Sequence, residues 1–160
     1  MLSKEIINLL QSIDNNTLII TLGNDFRSDD GVGCYIYNSI INEKLNFHLL
    51  NGGDRPENII DDVINLKPSR VIIIDAANFS GKFGEIRIFS DDQINQVTYS
   101  THSISPVIIS KIIQTELNCP VFFLGIQAKN FSYGETLSKQ IKKTADGVIE
   151  VLKSHILNHL

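Results

Sequence analysis

Apolar and polar positions follow two alternating patterns along the chain, and these patterns predict alternating strands and helices. Short continuous apolar runs predict strands at residues 18–22, 47–50, 70–76 and 121–126. Apolar residues at helical spacing predict helices at residues 1–16, 31–45, 56–69, 105–117 and from 134 to the end. Gly147 interrupts the last helix at a cost of about 1 kcal/mol relative to alanine, so we expect a packing contact that excludes a side chain there.

The segment GEIRIF, residues 84–89, is predicted to be an antiparallel edge strand. Its polar and apolar residues alternate, as in a half-exposed strand, and the short FSGKF link before it allows a direct return but no helical crossover. The other strands are separated by helices and are predicted to be parallel. We therefore expect a single three-layer α/β/α domain over residues 1–160, with residues 1–16 as an N-terminal helical extension.

The predicted strand order places a crevice at one edge of the sheet. If strands 18–22 and 70–76 are neighbours and strand 47–50 lies outside them, the chain reverses its winding between the two central strands. Ligands favour the crevice at such a switch point. Asp30 and Asp75 would then both line it.

Composition excludes several classes of partner. The chain has 160 residues, 42% of them hydrophobic, and a net charge of −4 with acids and bases interspersed. We therefore expect no nucleic acid partner.

No apolar run approaches the roughly 20 residues that span a bilayer, and no secretion signal is visible, so we expect no membrane insertion and a cytoplasmic location. Cys34 and Cys119 are predicted to be buried thiols.

Three side chains of metal-binding type stand at or just beyond the ends of predicted elements. Asp30 follows the first strand together with Asp29, Asp75 ends the run VIIID, and His102 lies in STHSIS. Two carboxylates and an imidazole suit a divalent ion of borderline hardness. The pattern suggests a metal site.

Each acid also has a structural interpretation. Asp29 and Asp30 precede a helix and would serve as N-caps, and Asp54 in GGDRPEN would cap the next helix in the same way. Asp75 is harder to explain structurally, because a buried carboxylate is costly to desolvate.

The histidines have structural interpretations as well. His102 can be a hydrogen-bonded loop residue, although the small polar residues around it would leave its ring accessible. His155 and His159 lie near the end of the last helix, where a histidine complements the helix dipole.

Other catalytic motifs are absent from the sequence. The first loop has no GK[ST] ending and no G-x-G-x-x-G, so it is no phosphate-binding loop. There is no G-x-S-x-G elbow, and neither cysteine has a histidine placed by sequence to activate it.

Five segments together resemble the hydrogenase maturation endopeptidases. They are LGNDFRSDDGVG, GGDRPEN, VIIIDAANFSGKFGEIRIF, STHSIS and FLGIQAKNFSYGETLS, and they occur in the order found in that family. Ser28 departs from the common pattern by replacing a glycine before the paired acids, which we expect to alter the loop backbone. Ser100 replaces a frequent threonine.

The resemblance implies a fold, an activity and a site. The fold is a five-stranded mixed sheet in a phosphorylase/hydrolase-like α/β/α domain. The activity is removal of the C-terminal extension of a [NiFe]-hydrogenase large-subunit precursor after nickel insertion. The metal ligands correspond to Asp30, Asp75 and His102, with nickel carried by the precursor or another divalent metal held at the same ligands. The precursor is the expected partner, and we favour a monomer.

Two other functions fit parts of the pattern. A phosphoacceptor receiver domain uses paired acids, an aspartate ending the third strand and a lysine after the last strand, which Asp29, Asp30, Asp75 and Lys129 imitate. A non-catalytic chaperone would bind the same precursor without cutting it. For the protease, we expect the loops 52–58 and 129–136 to choose the client.

Overall fold

The computed structural model describes residues 1–97, 105–134 and 136–159. The strands in these residues are β1 Thr17–Leu22, β2 His48–Gly53, β3 Arg70–Ala77, β4 Ile86–Phe89 and β5 Val121–Gln127. The helices are α1 Lys4–Gln11, α2 Val32–Ile40, α3 Ile60–Leu66, α4 Pro106–Leu117 and α5 Lys139–Asn158. Short 3-10 turns occupy Ser28–Gly31, Pro56–Ile59 and Ile94–Gln96.

The five strands form one mixed sheet in the order β2-β1-β3-β5-β4. β4 runs antiparallel to β5, and the other pairs are parallel. The predicted edge strand, the five-stranded mixed sheet and the neighbouring positions of β1 and β3 are therefore confirmed. The winding reverses between β1 and β3, which places a switch-point crevice there.

Each face of the sheet carries its own hydrophobic core. The core on one face includes the inward side chains of α1, α2 and α5, and the core on the other face includes those of α3 and α4. Neighbours in β3 alternate between them, with Ile72 in the first core and Ile73 in the second. Both are fully buried, and burial of such a side chain contributes about 1.5–3 kcal/mol. This double burial explains the unbroken apolar run.

The N-terminal helix packs on the domain. Ser3 caps α1 by accepting the N–H of Ile6, and Ile6 and Leu10 are buried in the core shared with α5. Arg70 at the start of β3 donates to the carbonyl oxygen of Ser12 at 2.7 Å, which fastens the end of α1 to the sheet. The ordered helix is shorter than the predicted span 1–16.

Other predicted helix boundaries were also wrong. α2 ends at Ile40 and α5 begins at Lys139, five residues later than predicted. The residues before α5 form backbone hydrogen bonds to the first loop, so they are not available for helical bonds. The start of α4 was predicted correctly, since Ser105 accepts the N–H of Val107 and Pro106 opens the helix. None of the helices in the described residues is long and apolar enough to cross a membrane.

Gly147 does not have the packing contact that we expected. A Cβ built on it lies 3.5 Å from the nearest atom of the Leu2 side chain, an ordinary van der Waals distance. We predict that Gly147→Ala raises the free energy of unfolding by about 1 kcal/mol and the melting temperature by about 2–4 °C. Thermal denaturation followed by circular dichroism measures this.

Gly33 in α2 supplies the matched control. A Cβ there would lie 2.0 Å from the carbonyl oxygen of Leu22, and backbone cannot move aside cheaply. Gly33→Ala should cost about 3 kcal/mol or more. Equal responses of the two helical glycines would contradict this account.

His155 is buried near the C-terminal end of α5 as a neutral side chain. Its Nε2 lies 3.1 Å from the Asn46 side-chain nitrogen, and its ring packs near those of Phe47 and His159. Burial lowers the pKa of His155, and the neighbouring His159 lowers it further. His155 therefore does not serve as a positive charge on the helix dipole.

We predict that this group makes the fold less stable in acid. A histidine whose pKa is lower in the folded than in the unfolded protein stabilises the fold above the unfolded pKa of 6.5. That contribution is lost as the pH falls through 6.5 toward the folded pKa. The melting temperature should drop between about pH 7.5 and about pH 5, and His155→Leu should drop less. An unchanged pH dependence in the variant would exclude His155 as the cause.

Candidate active site

The crevice opens where β1 stops pairing with β3. The last pair joins Thr21 to Ile74, so Asp75 is the first β3 residue beyond it, and on its other side Asp75 pairs with Gly125 of β5. Asp75 is fully buried. The structure thus places Asp75 at the switch point, as predicted.

The loop after β1 folds back, and its backbone contacts the residue that directly follows the strand. A Cβ on Gly23 would lie 1.9 Å from the carbonyl oxygen of Asp30 and 3.8 Å from Oδ1 of Asp75. The Gly23 φ angle of +133° is also one that favours glycine. Together with Gly33, which lies against Leu22, this contact holds the turn that carries Asp30 at the end of β1. Asp30 and Asp75 consequently both lie against Gly23.

Asp30 does not cap α2. Its Oδ2 accepts the N–H of Asn24 at 3.1 Å, and the N-cap of α2 is Gly31, without a side-chain capping bond. Asp30 is fully buried, like Asp75. The N-cap interpretation of Asp30 was therefore wrong, and the carboxylate is oriented by the loop before it.

Asp29 has a structural role that the sequence did not indicate. Its Oδ1 accepts the N–H of Ser138 at 2.7 Å, and its Oδ2 accepts the Ser138 hydroxyl at 3.0 Å and the N–H of Asn130 at 3.3 Å. Ser138 is the N-cap residue of α5. Asp29 thus organises the entry to α5, more than 100 residues along the chain, and does not cap α2.

Backbone hydrogen bonds join the same two loops. Ser28 donates to Gly134 at 2.6 Å, Gly134 donates to Phe26 at 2.9 Å, and Asp29 donates to Asn130 at 3.0 Å. Ser28 keeps a left-handed φ of +49°, the conformation that glycine favours, and its hydroxyl donates to the carbonyl of Ser132. The serine is accommodated in this conformation by contacts with the second loop.

Asn24 connects three parts of the site. Its N–H holds Asp30, its Oδ1 accepts the N–H of Phe26 at 2.9 Å, and its side-chain nitrogen lies 3.4 Å from Oδ2 of Asp54. The loop GGDRPEN therefore reaches the crevice. Asp54 makes this contact and does not cap the turn that follows, where no side-chain capping bond forms.

Cys34 lies beneath the acids as a protonated thiol. Its Sγ is 3.5 Å from the carbonyl oxygen of Gly23. Burial raises the pKa of Cys34 to about 11, and the charges of Asp25, Asp30 and Asp75 add to the rise. Cys34 is thus a buried thiol, as predicted, and is no thiolate nucleophile at neutral pH.

The third predicted site residue, His102, lies outside the described residues. Within residues 1–97, 105–134 and 136–159, no group of three His, Cys, Asp or Glu side chains is arranged to hold a metal ion. The structure therefore brings together two of the three candidates, Asp30 and Asp75, as a pair of buried carboxylates.

The topology differs from that of a phosphoacceptor receiver domain. Such domains have the parallel strand order 2-1-3-4-5, whereas this sheet ends in an antiparallel β4 beyond β5. Lys129, the proposed counterpart of the receiver lysine, is exposed and lies 5.6 Å from the centre of the Phe83 ring. The receiver interpretation was wrong.

Known proteins of one family match this chain. Residues 36–155 match the family model described as hydrogenase maturation protease. A Methanocaldococcus jannaschii protein assigned to the hydrogenase maturation proteases is 30% identical over 156 residues, covering 90% of this chain and 91% of that protein. The hydrogenase 3 maturation protease of Escherichia coli is 28% identical over 138 residues, covering 85% and 88%.

Solved structures show the same fold. The [NiFe] hydrogenase maturation protease HycI from Thermococcus kodakarensis superposes with a TM-score of 0.76 at 25% identity, covering 92% of this chain and 99% of that one. Sequence and structure thus agree over nearly the whole chain. The protein is a peptidase and belongs to the hydrogenase maturation protease family.

Proposed function

We propose that this protein is the endopeptidase that removes the C-terminal extension of a [NiFe]-hydrogenase large-subunit precursor once nickel has been inserted. Membership of the protease family supports the reaction class. The observation that carries the site is the pair of fully buried carboxylates, Asp30 and Asp75, which belong to residues that both lie against Gly23 at the switch point.

In this proposal nickel in the precursor is the recognition element, contacted by Asp30, Asp75 and His102. Carboxylate and imidazole groups are suitable ligands for nickel. Two carboxylates brought close together in a buried crevice favour a divalent cation there, because attraction is strong where water is excluded. The donor set therefore fits an ion that arrives with the substrate, and cleavage would report completed metal insertion.

Both described carboxylates are held in place by the structure around them. Asp30 is oriented by the N–H of Asn24, which donates to its Oδ2. Asp75 is positioned by β3, one of the central strands, so it has little freedom to move. Preorganised ligands of this kind bind a cation without first having to be ordered.

A metal held by the protease is the alternative at the same residues. Such an ion would polarise the scissile carbonyl or activate a water molecule. Metal analysis of the isolated protein separates the two versions, because tight stoichiometric metal would contradict nickel supplied by the substrate. Activity without a metal in the precursor would point the same way.

We also propose that the enzyme is cytoplasmic. Cys34 and Cys119 are both unpaired and buried, which suits a reducing compartment.

We predict that the purified protein shortens a nickel-loaded large-subunit precursor and leaves the nickel-free precursor intact, as measured by mass spectrometry of the products. Asp30→Asn should abolish the cleavage, because the substitution removes one of the two buried charges and keeps the size of the side chain. Asp25→Asn is the matched control, since Asp25 is an exposed acid of the same loop and should be dispensable.

Other results of this experiment would contradict particular parts of the proposal. Cleavage of both precursor forms would keep the protease and reject nickel recognition. Full activity of Asp30→Asn would reject the assigned site. Binding of the precursor without cleavage would favour the non-catalytic chaperone.

We predict that Asp29→Asn acts on stability. The side-chain nitrogen of asparagine cannot accept a hydrogen bond, so one of the two N–H groups that now donate to the carboxylate would lose its acceptor. An unsatisfied buried group costs about 1–3 kcal/mol. Urea denaturation should show this loss for Asp29→Asn and a smaller one for Asp30→Asn, whose remaining carbonyl oxygen can still accept from Asn24. The reverse order would contradict the separate roles of the two acids.

A further inference from the structure

Two large aromatic side chains are exposed beside the crevice. Phe26 is 62% exposed and Tyr133 is 80% exposed. They belong to the two loops that are joined by the hydrogen bonds between Phe26, Ser28 and Gly134. Aromatic side chains contribute more binding energy to interfaces than most residues, and here the backbone holds both of them at the surface.

Arg27 links the two loops through its side chain. Its guanidinium carbon lies 4.5 Å from the centre of the Tyr133 ring, and its terminal nitrogen donates to the Tyr133 hydroxyl at 3.1 Å. This cation–π stack orders the partly exposed Arg27 and the exposed Tyr133 before any partner arrives. Phe26 lies next to Arg27 in the chain, and we call Phe26, Arg27 and Tyr133 together the aromatic platform.

The platform is connected to the site by Asn24. The Oδ1 of Asn24 accepts the N–H of Phe26, and the N–H of Asn24 is donated to Asp30. Two hydrogen bonds therefore link the Phe26 backbone to the Asp30 carboxylate through Asn24. The platform is continuous with the loop that carries the acid.

We propose that the aromatic platform is the docking surface for the polypeptide of the precursor next to the scissile bond, and that it receives an apolar side chain of that segment. This inference rests on the proposed function. The occupant is a polypeptide because the platform adjoins the place where the cut is made, and because aromatic and arginine side chains are enriched in protein interfaces. The exposed acid Asp25 and the acid Asp54 lie nearby, so an anionic segment is disfavoured.

The test measures cleavage of the nickel-loaded precursor by Phe26→Ala and Tyr133→Ala. Loss of an aromatic anchor should lower kcat/KM by about tenfold, mainly through a higher KM, because the platform binds the chain and does not touch the reacting bond. Tyr133→Phe, which keeps the ring beneath Arg27, should retain most of the activity. Leu157→Ala is the control, since Leu157 is 70% exposed near the far end of α5.

A second arm detects binding without relying on cleavage. Phe26 is replaced by the photoreactive analogue p-benzoylphenylalanine, and the irradiated mixture with the nickel-loaded precursor is analysed by mass spectrometry. Crosslinks should fall within the residues that flank the cleavage site. The same analogue at Leu157 should give none.

The outcomes separate the two proposals. Cleavage by the wild-type protein with unchanged kcat/KM in Phe26→Ala and Tyr133→Ala would overturn the docking surface and leave the protease. Crosslinking at Phe26 without cleavage would overturn the protease and support the docking surface. Absence of both cleavage and crosslinking would overturn both.

Discussion

The backbone contact between the end of β1 and the turn that follows it determines the site. Gly23 lies so close to the Asp30 carbonyl, and Gly33 so close to the Leu22 carbonyl, that neither position has room for a Cβ. Because the contact is between main chains, it does not depend on a rotamer, and the turn cannot drift away from the strand. The position of Asp30 over the crevice therefore follows from the two glycines before any side-chain interaction is considered.

The same constraint gives two adjacent acids opposite roles. Consecutive residues of a tight turn point in different directions, so Asp29 faces the loop before α5 and Asp30 faces Asn24. Asp29 satisfies the N–H of Ser138 and orders the loop that carries Tyr133. The structural acid thus orders the loop beside the site, and its neighbour is the acid that the proposed function uses. A pair of like residues in a sequence can therefore make entirely different contacts in the fold.

Local patterns in the sequence were sufficient for much of the fold. The apolar run of β3, the short link before β4 and the Ser105 cap of α4 depend on neighbouring residues, so they could be predicted from the chain itself. The contacts of Asp29 with Ser138 and of Arg27 with Tyr133 join residues more than 100 positions apart. No periodicity records such pairs. Their loops also set the late start of α5, which helical spacing alone had placed too early.

The physical origin of selectivity in the proposed reaction is desolvation. Asp30 and Asp75 are both fully buried, and negative charges brought together in a crevice repel more strongly than in water. A precursor that carries a divalent ion offsets this repulsion on docking, whereas a precursor without the ion leaves the repulsion uncompensated. Sites built to interact with a buried polar or charged group discriminate strongly against ligands that lack it. On this argument the check on metal insertion comes from the charge of the crevice, and recognition of the polypeptide itself can be left to the exposed loops around it.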